Sequence, residues 1–107
     1  MDKRKNSKKE YEIIEEEAMF FDALLDKSEK EKLKNLFQYR RTSNGTFNII
    51  YSTYPVGKIK LQGRKHWMMI MKNLYDSKTI EGTIDDYISE IDYIIVYIKK
   101  YILPELK

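Results

Sequence analysis

The chain has 107 residues, 42% of them hydrophobic and 13% aromatic, with 20 basic and 17 acidic side chains and a net charge of +3. That length fits one domain able to bury roughly two-thirds of its unfolded surface, and the apolar content is too high for a disordered protein. There is no cysteine, which excludes disulfides, thiolate metal sites and cysteine nucleophiles, and no uncharged apolar run is long enough to cross a membrane.

The charge is unevenly spread. Residues 32–75 carry nine bases and no acid, whereas residues 10–31 carry two bases and nine acids and residues 76–107 carry four and seven. The basic start "MDKRKNSKKE" runs into "YEIIEEEA" rather than an apolar core, so no secretory leader is expected. Together with the missing cysteines this suggests a cytoplasmic protein. Residues 1–9 read as a flexible basic tail and 10–107 as a single α+β domain.

In chain order, Ser7 and Glu10 form a capping-box pattern ahead of a helix predicted over 8–25. Tyr11, Ile14, Ala18, Phe21, Leu24 and Leu25 supply its helical stripe, and the glutamates from Glu10 to Glu17 read as a solvated face favoured by the helix dipole. Ser28 and Glu31 predict a second helix over 29–39, with Leu33, Leu36 and Phe37 as its apolar face. Asn44-Gly45 is a turn. "TFNIIYSTY" is a β-branched and aromatic strand. Pro55 and Gly57 fall in the connection, and "KIKLQ" is a second strand with Ile59 and Leu61 on one face and Lys58, Lys60 and Gln62 on the other. Trp67, Met68, Ile70, Met71 and Leu74 predict a buried helix over 64–75, and "YDSKTIEGT" a loop. Thr83 and Asp86 form a third box before a helix over 84–103, marked by isoleucines from Ile84 to Ile102 and stopped near Pro104. The expected fold is therefore α+β and mostly helical, α-α-β-β-α-α, with one antiparallel β-hairpin packed on helices. A single hairpin is marginal in water, so it must lie on the helices or pair with a second copy, making a homodimer an expectation.

Catalytic patterns are weak. His66 is the sole histidine, no G-x-S-x-G elbow is present, and Arg64 and His66 are too close in sequence to share a helix face. Asp85, Asp86, Glu90 and Asp92 suit the start of a helix better than a two-metal site, which draws carboxylates from several elements. The glycines at 45, 57, 63 and 82 match no phosphate loop. No metal, no cofactor and no enzymatic activity are expected. The basic middle remains: Arg40, Arg41, Lys58, Lys60, Gln62, Arg64 and Lys65 are the candidate binding residues, interleaved with aromatics. Lys and Arg are what a phosphate backbone requires, and aromatics are what unpaired bases stack on. Trp67 keeps helical spacing with Ile70, Met71 and Leu74 and is assigned to the core. Against a binding role, the acidic helices could neutralise this region within the molecule, and lysines on edge strands commonly serve to block aggregation.

"FNIIYSTYPVGKIKLQGRKHW", a strand, a short turn, a second strand and then a helix start, resembles the hairpin of the TBP-like substrate-binding domain of ribonucleases of the HIII type. A similar hairpin occurs in RNase LS-type toxins. The likeness covers residues 47–67 and rests on Gly57, Lys58, Gln62 and Gly63. It implies an RNA- or hybrid-binding module without its own catalytic centre. The leading expectation is a small non-catalytic module that contacts nucleic acid, RNA or DNA, through its basic hairpin. The alternative is a small inhibitor of phage or mobile-element type, anti-CRISPR-like, that blocks a nuclease or another nucleic-acid-handling protein by direct contact; the Lys-, Ile-, Tyr- and Asn-rich composition of an AT-rich genome suits it. A small ribonuclease or toxin using His66 is a third class.

Overall fold

The computed structural model describes residues 12–106. A helix, α1 (Glu15–Lys30), precedes five strands, β1 (Phe37–Arg41), β2 (Phe47–Tyr51), β3 (Tyr54–Lys60), β4 (Trp67–Met71) and β5 (Ser77–Ile80). The chain then forms α2 (Ile84–Ser89), α3 (Ile91–Tyr97), a π-helical stretch Ile98–Ile102 and a 3-10 turn Leu103–Leu106. The strands make one antiparallel meander in the order β1-β2-β3-β4-β5. The α+β class is as expected. The mostly helical α-α-β-β-α-α order is not, because two expected helices are strands.

Glu17, Phe20, Leu24 and Ser28 are the buried positions of α1 and recur every three or four residues. The Ser7–Glu10 box lies outside the described residues; of the helix expected over 8–25, residues 12–14 are not helical, and α1 begins only at Glu15, after Ile14 in extended conformation. Where a new helix was expected at 29, α1 continues. Ser28 is not a cap but a buried helix residue whose hydroxyl donates to the Leu25 carbonyl at 2.8 Å. The helix ends where Lys32 adopts φ 62°, in the left-handed region.

Beyond it, the helical spacing of Leu33, Leu36 and Phe37 yields to the alternation of "FQYRR", which turns Phe37, Tyr39 and Arg41 inward and Gln38 and Arg40 outward. The helix expected over 64–75 is β4. Five successive large apolar residues serve a buried helix or a strand equally; here both ends are turned. Gly63 at φ 92° bends the chain before it, and after it the Asn73 side chain accepts from the backbone N–H of Tyr75 at 2.8 Å and of Asp76 at 3.0 Å. The hairpin thus opened pairs β4 with β5, inside the segment expected to be a loop.

Thr83 and Asp86 do cap α2: the Thr83 N–H donates to Asp86 Oδ2 at 2.8 Å and the Asp86 N–H to Thr83 Oγ1 at 3.4 Å. The helix expected over 84–103 is broken at Glu90, the cap shared by α2 and α3.

One core joins Phe20 and Leu24 of α1 to Ile49, Tyr51, Ile59, Met68 and Ile70 of the sheet and to Tyr87, Ile91, Ile94, Ile98 and Ile102 of the C-terminal helices. Ile59 and Leu61 are buried as expected. All the described helices lie against this inner face, and no described element covers the other face of the sheet. The β2–β3 hairpin is thus the middle of a five-stranded sheet, and it needs no second copy for support.

Candidate functional site

Directly paired residues of an antiparallel sheet point to the same face, so the register maps the uncovered side. Arg40 lies opposite Asn48, Asn48 opposite Lys58, Lys58 opposite Met69, and Met69 opposite Thr79, a row across all five strands. Beside it Lys60 pairs with Trp67. With strands roughly 4.8 Å apart, Arg40 and Lys58 are about 10 Å from each other. Arg64 and Lys65 lie in the loop between β3 and β4, and both are exposed. None of the five strands contains an acidic residue.

Ion pairing separates the two sides of the molecule. On the helical side Lys27 pairs with Asp92 at 3.2 Å, Lys30 with Asp26 at 3.4 Å, Lys78 with Glu90 at 3.0 Å, and Lys99 with Glu31. Arg40, Lys58, Lys60, Arg64 and Lys65 have no ion-pair partner among the described residues. The acidic helices therefore neutralise their own neighbours and leave the outer sheet face positive.

The other two candidates are engaged within the molecule. Arg41 faces inward over the Phe47 ring, 3.8 Å from its centroid. Its guanidinium donates to both oxygens of Glu17, Nη1 to Oε2 at 2.6 Å and Nη2 to Oε1 at 3.0 Å. Gln62 Nε2 donates to Glu17 Oε1 at 3.1 Å and to the Glu12 carbonyl at 2.7 Å. Glu17 is completely buried, not on the solvated face expected of its glutamate run. Burial pushes its pKa up, but hydrogen bonds from Arg41, Gln62 and the Ile14 N–H outweigh that and hold the carboxyl below its ordinary value. Its place in the buried stripe with Phe20, Leu24 and Ser28 was the available signal.

Trp67, assigned to the core by spacing, stands half-buried on the outer face. It borders a recess of about 390 Å³ whose walls include the β1–β2 turn, Thr46, Asn48 and Lys58. The turn is held by its own hydrogen bonds, Thr42 N–H to the Thr46 carbonyl at 2.8 Å and Thr46 N–H to Asn44 Oδ1 at 3.2 Å. Two buried oxygens here, Thr46 Oγ1 and Asn48 Oδ1, have no hydrogen-bond partner among the described residues. Neither residue stood out in the sequence, although the alternation of "FNIIY" already turns Asn48 away from Phe47 and Ile49.

His66 is half-buried in the loop before β4. Among the described residues no three His, Asp or Glu side chains stand close enough to share a metal ion. No helix among the described residues is long and apolar enough to cross a membrane. Compared with family models, with curated proteins and with solved structures, the chain matches none. Any functional reading therefore rests on the residues themselves.

Proposed function

We propose that the uncovered sheet face binds the phosphate backbone of RNA or DNA and that the protein is a binding module with no chemistry of its own. The observation that carries this reading is the contrast in pairing: five cations on or beside one acid-free face lack ion-pair partners among the described residues, while Lys27, Lys30, Lys78 and Lys99 are each paired with an acid of the helices. Unpaired cations on a rigid sheet can release the counterions of a phosphate chain without first breaking bonds within the protein. Arg40, Lys58 and Lys60 form the centre of the contact, and Arg64 and Lys65 form its rim. Arg41 and Gln62 act indirectly by anchoring the sheet to α1.

Fluorescence anisotropy with labelled RNA and DNA at low salt tests this. If all five cations meet phosphates, log K falls with log salt at a slope of about −3.5 on a single strand. The double variant Lys58→Glu, Lys60→Glu weakens binding by roughly tenfold or more. Absence of binding to every nucleic acid at low salt refutes the reading. A stoichiometric protein recovered from lysate, and retained after nuclease treatment, would instead place the chain among interaction proteins that present this face to an acidic partner.

A further inference from the structure

We infer that the recess beside Trp67 receives an unpaired nucleobase, so that the ligand of the sheet face is single-stranded; this rests on the nucleic-acid reading above. Three features of the recess point the same way. Thr46 Oγ1 and Asn48 Oδ1 are buried polar atoms without partners among the described residues, and natural proteins rarely leave such groups unmatched without a reason. A hydroxyl and a carboxamide each offer a donor and an acceptor, as does the pairing edge of a base. Trp67 supplies a ring at the same wall for stacking, and Lys58 supplies a cation for the adjoining phosphate.

A duplex cannot use this arrangement. Its base faces are stacked and its pairing edges are occupied, so only its backbone can meet Lys58 and its neighbours. The wall formed by the β1–β2 turn is preorganised by the hydrogen bonds between Thr42, Asn44 and Thr46 and by Gly45 at φ 90°. A base therefore enters a shape that already exists, beside cations that already lack partners.

Trp67 is the chain's single tryptophan beside nine tyrosines, so fluorescence excited at the red edge, where tyrosine does not absorb, reports on this recess. The test titrates the full chain at fixed salt with an unlabelled single-stranded oligonucleotide and with the blunt duplex of the same sequence. The expected result is a change in Trp67 emission with the single strand only, and affinity for it roughly tenfold or more above that for the duplex. Asn48→Ala should reduce that preference; the wild-type comparison decides the matter even if this variant does not fold. Equal affinity for both forms with constant emission, still weakened by Lys58→Glu with Lys60→Glu, overturns the recess and leaves the sheet-face reading standing. No binding of either form overturns both.

Discussion

Glu17 shows how a single buried carboxylate can organise a small domain. It receives hydrogen bonds from Arg41, Gln62 and the Ile14 N–H, and so ties the start of α1 to an edge strand and to the β3–β4 loop. Removing one partner of such a pair strands the other, which costs about 3–5 kcal/mol. Glu17→Ala should lower unfolding stability by that amount, measured by urea titration, and Arg41→Ala should do nearly the same. The pH dependence has a definite sign. The folded carboxyl ionises below its ordinary value of 4.5, so between the two values the unfolded chain holds more protons. The stabilisation is complete above pH 4.5 and is lost as pH falls through the folded value; in Glu17→Gln that acid-side loss should shrink. At the alkaline end, burial and the nearby Asp22 raise Tyr39 to about 12. Unfolded tyrosine ionises near 10, so stability should decline from pH 10 upward; in an ultraviolet titration Tyr39 should ionise about two units late, and Tyr51, Tyr87 and Tyr97, raised by their own burial, should also lag the exposed tyrosines. Composition made Arg41 and Gln62 look like binding residues because it records their charge and polarity. It cannot record that a glutamate 24 positions before Arg41 meets both.

At the scale of the element, the strands whose polar and apolar residues alternate were legible in part: β2 falls within "TFNIIYSTY" and the Lys58–Lys60 end of β3 within "KIKLQ", whereas Pro55 and Gly57, read as the connection, belong to β3. β4 was not, because "WMMIM" is apolar on both faces; its outer residues Trp67 and Met69 belong to a surface, and a surface of that kind carries no polar mark. Gly57 was misplaced for a related reason. It reads as a turn residue, yet it lies within β3, opposite Ile49 on one side and Ile70 on the other. A Cβ there would stand 2.6 Å from the Met69 carbonyl oxygen, so glycine is needed for close approach of two backbones. Gly57→Ala must push β3 from β4 and should cost about 1–3 kcal/mol, lowering the melting temperature by roughly 4–8 °C for each of these. Calorimetry checks this. An unchanged melting temperature would mean that the two strands can separate without loss.

The whole molecule has two electrostatic sides. The acid-free run of residues 32–75 was visible in the sequence and coincides with four of the five strands. The partition into a paired helical side and an unpaired sheet side was not visible, since it depends on which face the helices cover. If the open face is the contact surface, backbone amide shifts on adding oligonucleotide should cluster in β1–β4 and in the loop around Arg64 and Lys65, while those of α1 and α3 stay fixed. Shifts centred on the helices would reverse the assignment. The meander has one more consequence, for kinetics. Every strand pairs with its neighbour in sequence, so each strand pairing closes only a short loop, and only the meeting of α1 with the C-terminal helices spans the chain. Refolding should be complete on about the millisecond scale typical of mixed domains with local topology. The open sheet face then forms as hairpins zip in succession, before the terminal helices settle behind it.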